Sequence, residues 1–474
     1  MILPTFSAVR ASKSQAICRF NRSLEVFVNF SVRLAAIALG FFASAFAAQA
    51  QSDSLPRHGV IGLRVAPSDL AKPEDPATNP ATIQIVTPGS AGEAAGFQPG
   101  DVLLSLDDAP VSTAIDFAHK VSRHLAGETI KIRIRRGAEE LTKTAVLKPR
   151  PLETTPLADV VYTSVSVDGV RRRLIVTKPQ SPGRHPAVLL IGGLGCYSLD
   201  GMLTDPTGYG PILSALAQNN YVTMRVEKTG EGDSEGVPCT DPKATVDLEV
   251  RGLVAGLRAL KSYDFVDPAR VFVFAHSLGP LIGSLVIPQE SVRGFIAAET
   301  IGRTWFEYTI ENVRRQMALL GQKPDEVDAV VRDNAQCAFH FFIEHESAAA
   351  VSKRSTECVD MIRSYAGLSD AYLHEIGDVS LGLQWKSVDI PVLVLYGTSD
   401  PATSADEGRY LTALINRHHP GRATYVELPR MGHDFALYDS QLEFLRRAAD
   451  KKPHPYDDEV LTAILKWLSD QLQS

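Results

Sequence analysis

Two kinds of hydrophobic periodicity divide the chain. From residue 59 the apolar positions come in short runs: "GVIGLRV", then "ATIQIV", then the alternating "TIKIRIRR", with glycine and proline at the breaks. Alternation at period two marks half-buried strands. One stretch differs: in "STAIDFAHKVSRHL", Ile115, Ala118, Val121 and Leu125 recur at helical spacing. From Val161 onward the runs lengthen. "VVYTSVSV" and "RRRLIVTKP" read as an antiparallel start, while "HPAVLLIGG", "YVTMRVEKTG", "RVFVFAHS", "VRGFIAAET" and "IPVLVLYGTSD" read as buried strands. Helical patterns lie between them. In "TVDLEVRGLVAGLRALKSY", for example, Val246, Val250, Leu253, Leu257 and Leu260 share one face.

Strands alternating with helices predict an α/β domain, a mostly parallel sheet with helices on both faces, over residues 161–474. A small, mostly-β module precedes it at 58–148. The Pro- and Thr-rich "LKPRPLETTPLADV" lacks periodicity and predicts a linker, 149–160, between the two.

Residues 1–50 stand apart. Arg10, Lys13, Arg19, Arg22 and Arg33 face a single acid, Glu25, and lead into the apolar "LAAIALGFFASAFAAQA", which ends Ala48-Gln49-Ala50. Basic start, short apolar middle and A-x-A end make up a secretory signal, cleaved near Ala50. The apolar part is short for a membrane span; the alternative is an uncleaved anchor. The reading predicts an exported protein, periplasmic or secreted, with no membrane span in the mature chain. The whole chain carries −7; cleavage removes five of its 48 basic residues and one of its 55 acidic ones, leaving −11. Such a balance argues against a nucleic-acid partner.

Export changes how cysteine reads. Cys18 leaves with the signal, and Cys196, Cys239, Cys337 and Cys358 remain. An even number in an oxidising compartment points to disulfides, and four cysteines allow three pairings. Their spacing fits no zinc signature, so no metal site is expected.

The chemistry centres on "RVFVFAHSLGP", a strand that stops at Ala275-His276-Ser277-Leu278-Gly279. Small residues around a serine suit a sharp strand-to-helix turn that exposes its oxygen. A neutral serine needs a base. Asp400 follows the strand "PVLVLYG", and His433 lies in "VELPRMGHDF" before the last helix, so the chain order is Ser, acid, His. Asp406, His418 and His419 are weaker rivals for these roles. Donors for a developing oxyanion are expected from the backbone amide of Leu278 and from the glycine-rich loop after "AVLLIGG". Leu194 is the first choice there and Gly195 the alternative.

These motifs carry resemblances. "GSAGEAAGFQPGDVLLSLDDAPV" resembles the PDZ signature of bacterial exported proteases. It implies a groove for a peptide or protein C-terminus, with its carboxylate held by the loop Ile61-Gly62-Leu63 and one wall formed by the helix carrying Phe117 and Val121. The alternative is a PDZ fold that packs on its neighbour and binds nothing. Residues 160–474 resemble α/β-hydrolases, most closely the EstD group of bacterial carboxylesterases and less closely the prolyl-oligopeptidase type of serine peptidase. The resemblance implies hydrolysis of a small acyl ester through an acyl-enzyme, no cofactor, and a helical cap at about 301–388. "RVEKTGEGDSEG" is similar to a loop common in these hydrolases, with Glu227 in place of the usual Asp and Thr229 in place of the usual Arg; a structural role beneath the serine turn is expected. The loops carrying Cys196 and Cys239 then become neighbours, which favours Cys196–Cys239, and Cys337–Cys358 would staple two cap helices. Trp305, Phe306, Phe339, Phe341 and Phe342 could line an acyl pocket or belong to the core. Three readings follow: an exported serine esterase with a PDZ domain, a serine peptidase that captures peptide C-termini, and a PDZ-led binding protein without activity.

Overall fold

The computed structural model describes residues 55–67, 75–365, 367–450 and 453–473. The signal expected at 1–50 lies outside them.

In the first module, strands β1 (Leu63–Pro67), β2 (Ala81–Val86), β3 (Val102–Leu106), β4 (Thr129–Arg136) and β5 (Glu139–Val146) pair in that order. The alternation in β4 is literal: Ile130, Ile132 and Ile134 are fully buried, and the basic residues between them face outward. Helix α1 (Ala114–Val121) starts at Thr113, whose hydroxyl accepts from the amide of Asp116. It turns Phe117 and Val121 into the module's core.

The second module is built on eight strands. β6 (Ala158–Val167) and β7 (Val170–Pro179) form a hairpin, turning at Asp168 and Gly169 with φ of 52° and 80°. Two successive positive φ values are what a tight hairpin turn requires, and Asp-Gly supplies them at low cost. Then come β8 (His185–Ile191), β9 (Val222–Val226), β10 (Val266–His276), β11 (Gly294–Ala298), β12 (Val392–Gly397) and β13 (Ala423–Leu428). The spatial order is β13-β12-β11-β10-β8-β9-β7-β6, and every pair from β9 to β13 is parallel. Side chains alternate across this sheet into two cores. Leu189, Val273 and Phe295 face α3 (Val246–Ser262) and α4 (Gly279–Val286), while Val188, Leu190 and Phe274 face α2 (Gly210–Gln218) and the last helix, Asp458–Gln473. Both faces are covered, which is why these strands read as continuous apolar runs.

Between β11 and β12 lies the expected helical insertion: α5 (Trp305–Leu319), α6 (Pro324–Ala338), α7 (Thr356–Arg363), α8 (Asp370–Asp378) and α9 (Leu381–Lys386). Its residues Phe341, Phe342, Leu373 and Trp385 join the core on the α3/α4 face, so the insertion is rooted in the sheet domain.

The last three residues of the expected linker belong to β6, and the rest is largely exposed but pinned at Glu153. Glu153 is buried and pairs with fully buried Arg225 of β9 through two bonds of 2.7 and 2.5 Å. Ahead of the first module, the guanidinium of Arg57 bonds Asp200 at 2.7 Å and Asp233 at 2.6 Å, both on the second module. Removing one partner of a buried pair leaves an uncompensated charge, which costs about 3–5 kcal/mol. Glu153→Ala is therefore expected to lower the unfolding free energy by about that amount in urea titration, and by much more than exposed Glu344→Ala.

Candidate active site

β10 runs straight into the serine turn. Ser277 has φ of 61°, an uncommon conformation for a residue with a side chain. Its amide bonds the carbonyl of Ala298 at 3.0 Å, and its carbonyl accepts from the hydroxyl of Thr300 at 2.8 Å. The small residues have physical reasons. A Cβ on Gly279 would lie 2.6 Å from the carbonyl oxygen of Ile191, and one on Gly193 would lie 3.0 Å from the Ser277 Cβ. Ala275, standing where the hydrolase motif has its first glycine, is a ladder residue of β10 between Ile191 and Ala297 and needs no unusual backbone. Pro280 occupies the first turn of α4, where a missing N–H is harmless.

Three loops at the C-terminal ends of parallel strands bring the expected residues together. Ser277 Oγ lies 3.0 Å from His433 Nε2, and His433 Nδ1 lies 2.9 Å from Asp400 Oδ2. Asp400 is fully buried and also accepts from the Thr403 hydroxyl and the Ala402 amide, each at 2.6 Å. Burial alone would raise its pKa, but His433 and these hydrogen bonds hold it well below the ordinary carboxylate range. For His433, burial favours the neutral ring and the Asp400 charge outweighs it, so its pKa is raised. The rivals are elsewhere: Asp406 is an exposed partner of Arg409, and His419 bonds the carbonyl of Lys386.

Leu194 lines a cavity together with Ser277 and His433. Among the described residues, the backbone amides of Leu194 and Leu278 donate to no other group. Gly195 has φ of 134°, which frees the loop to turn there. Cys196 of this loop is bonded to Cys239, and Cys337 of α6 to Cys358 of α7. Glu227 reaches this loop as well: its buried carboxylate accepts from the Ser198 hydroxyl at 2.5 Å and the Leu199 amide at 3.0 Å. Its role is structural, as expected, though it pins the loop after β8 and not the floor of the serine turn.

Residues that the motifs did not point to complete the site. Nε2–H of His276 donates to the carbonyl of His433 at 3.0 Å, so its Nδ1 accepts, from the Tyr209 hydroxyl at 2.8 Å. Tyr209 in turn accepts from the Gly193 amide at 3.2 Å. Burial and the neighbouring His433 push the His276 pKa down to about 3, so this thread is uncharged. Behind Asp400 sits Glu299, fully buried, with φ of 48°. Its Oε1 accepts from the Gly397 amide at 2.6 Å, and burial followed by the Asp400 charge raises its pKa well above the ordinary value. Its second oxygen, Oε2, is buried without a hydrogen-bonding partner, so both burial and the Asp400 charge favour the protonated form. No local sequence signal marks Glu299, since its partner lies about a hundred residues away.

The cavity has a volume of about 600 Å³. Of the aromatics expected there, Trp305 lines it; Phe341 and Phe342 are core, Phe306 packs against the core, and Phe339 is exposed. Tyr308 and Tyr365 line it instead, beside Thr309, Asn312 and Gln316.

Residues 188–448 match the model of the alpha/beta hydrolase family, and residues 59–147 match that of the PDZ domain. The chain is 21% identical over 306 residues to Esterase EstD of Thermotoga maritima, covering 64% of this chain and 66% of that protein. Among solved structures it is similar to Est1E from Butyrivibrio proteoclasticus (16% identity, 66% of this chain and 99% of that one, TM-score 0.41). It is also similar to the Pyrococcus furiosus esterase Pf2001 (13% identity, 68% and 96%, TM-score 0.42).

The electrostatics make a measurable statement. By NMR, the His433 ring is expected to titrate above the ordinary 6.5, while His276 stays neutral down to about pH 3. Asp400→Asn removes the charge that favours the imidazolium and leaves burial, so the His433 midpoint should fall below 6.5. A midpoint unmoved by Asp400→Asn would contradict the electrostatic coupling.

Proposed function

The chain belongs to the alpha/beta hydrolase family, and on that premise we propose that it is a serine hydrolase that cleaves carboxylic esters. The observation that carries this reading is the continuous series Ser277–His433–Asp400 at 3.0 and 2.9 Å. In the proposed reaction Ser277 Oγ attacks the acyl carbon as its proton passes to His433 Nε2. Asp400, kept ionised, orients the imidazole and stabilises its charged form. The amides of Leu278 and Leu194, with Gly195 the alternative to Leu194, receive the oxyanion. Collapse expels the alcohol, which takes the proton from His433 and leaves an acyl-serine. Water, deprotonated by the same imidazole, then attacks the acyl-serine, releases the acid and restores Ser277. None of these steps calls for a cofactor.

The PDZ domain has a second part in the proposal, the docking of a peptide C-terminus. β1 lies at the open edge of its sheet with α1 packed beside it, and Gly62 has φ of 74° in the loop that leads in. A cleft of about 520 Å³ separates the outer face of α1 from Arg363 of α7 and Gly367, and α7 also lines the catalytic cavity. A docked peptide would thus be separated from the cavity by α1 and α7. This edge strand is also what favours the peptidase as second reading. Export of the mature chain belongs to the proposal too; the two disulfides support it.

For the chain from residue 51 on, p-nitrophenyl esters are expected to turn over and peptidyl anilides to resist. Ser277→Ala should lower kcat/KM by at least about 10³-fold. Fast anilide cleavage would favour the peptidase, and a fully active Ser277→Ala would remove the catalytic reading.

The rate should also carry an acid limb, because only neutral His433 is a base; activity rises with pH through a midpoint above 6.5. In the proposal a protonated Glu299 shares its proton with Asp400; Glu299→Leu then removes a competing donor, so His433 holds its proton more tightly and the limb should move to higher pH. Glu299→Gln keeps a neutral donor and should restore the limb, an outcome that simple loss of packing would not give.

A further inference from the structure

The loop that carries Leu194 is tied down at both ends. Gly193 donates to the Tyr209 hydroxyl, and the Glu227 carboxylate receives Ser198 and the Leu199 amide. Between these ties the loop is bonded covalently to the loop after β9, through Cys196 and Cys239. The two disulfides of the domain differ in access. Cys337 and Cys358 are 1% and 2% exposed, whereas Cys196, two residues beyond Leu194, is half-buried. Exposed disulfides are the ones that thiols reach and reduce. The cleft of about 520 Å³ beside α1 leads to this pair: it is lined by Thr240, next to Cys239, and by Gly367, whose carbonyl oxygen lies 2.8 Å from Cys196 Sγ.

Two groups suit the reduced sulfurs better than the bonded ones. A disulfide sulfur carries no hydrogen, so the Gly367 carbonyl can serve as an acceptor only for a Cys196 thiol. A carboxylate oxygen of Glu231 lies within 4.8 Å of both sulfurs. Glu231 is 8% exposed, and its side chain has no hydrogen-bonded or ion-paired partner among the described residues. Burial and the Glu227 charge outweigh Lys228 and Arg150 and push its pKa up to about 7.

We propose that Cys196–Cys239 is an exchangeable disulfide, opened by a dithiol that reaches it through this cleft, and that its opening loosens the oxyanion loop. A reductant thiolate attacks Cys196 Sγ and the S–S bond breaks. Cys239 leaves with the electron pair and takes the proton of Glu231. The reductant's second thiol returns a proton to Glu231 and attacks the reductant sulfur of the mixed disulfide. The reductant closes its own S–S bond, and Cys196 leaves as a thiolate that water protonates. Two electrons pass from the dithiol to the protein. The exchange stands apart from the esterase reading of Ser277; its effect on turnover rests on that reading.

The exchange is read without turnover. Dithiothreitol followed by iodoacetamide, with peptide mass analysis, should label Cys196 and Cys239 at least about tenfold faster than Cys337 and Cys358. Amide hydrogen exchange at Gly193 and Leu199, the bonded ends of the loop, should rise with the label. At about pH 6, where Glu231 holds its proton, Glu231→Gln should slow the labelling by at least about tenfold. Ester turnover reads the consequence: kcat should fall at least about tenfold on opening, with KM little changed, because a displaced oxyanion donor acts on the transition state. Reoxidation by oxidised glutathione should restore it. Cys196→Ser/Cys239→Ser should be equally slow and insensitive to dithiol, and Cys337→Ser/Cys358→Ser should keep the response. Equal labelling of the two pairs, or opening that leaves kcat and loop exchange unchanged, overturns the inference and leaves the esterase standing. Selective opening with faster loop exchange and no ester cleaved supports the inference and sinks the esterase.

Discussion

A neutral, buried imidazole holds the site together. His276 has a hydrogen-bonding partner at each nitrogen: Tyr209, and through it the Gly193 amide, on one side, and the carbonyl of His433 on the other. The loop after β8, the serine turn after β10 and the histidine loop after β13 are thereby joined by one uncharged thread. Were His276 to accept a proton at Nδ1, the Tyr209 hydroxyl would have to turn from donor to acceptor, and a positive charge would stand beside His433. Burial, followed by the neighbouring His433, keeps the His276 ring neutral although the Asp400 charge pulls the other way. Glu299 does the matching work from behind. Burial and the Asp400 charge favour its protonated form, which keeps a second negative charge away from Asp400. The positive φ at both Ser277 and Glu299 marks where the backbone is strained to hold these contacts.

The same economy of charge governs how the two modules meet. Arg57, ahead of the PDZ domain, bonds Asp200 in the loop after β8 and Asp233 in the loop after β9, and the linker contributes Glu153 to buried Arg225. Each of these pairs would be costly to open halfway. The stretch whose composition predicts a linker therefore binds, with Arg57, to the loop after β8. Events at the PDZ domain have a short physical route to that loop, and a second through α7, which faces α1 on one side and the cavity on the other.

Much of the architecture could be read along the chain. Continuous apolar runs identified the parallel strands because both faces are covered, and the β4 alternation identified a sheet with one wet face. The order of Ser277, Asp400 and His433 was readable because each follows a strand, and parallel strands deliver their C-terminal loops to one edge. The Cys196–Cys239 pairing followed from the neighbourhood of two such loops, and Cys337–Cys358 from the helical cap that the resemblance implied. Aromatic residues of the cap misled, because helical spacing cannot tell a side chain that faces the cavity from one that faces the core. Phe341 and Phe342 root the cap, while Tyr308 and Tyr365 take the places that had been open to them.

What the sequence alone determined, then, is whatever depends on local pattern and chain order: the two modules, the strand-helix alternation and the candidate set Ser277, Asp400 and His433. Tertiary structure decided everything that depends on which distant groups share a buried volume. It made His276 a brace, Arg57 and Glu153 clamps, and Glu299 a buried carboxyl beside Asp400. The reason is physical. A side chain's charge state and its unmet hydrogen bonds are set by desolvation and by neighbours in space, and neither is written in the residues on either side of it.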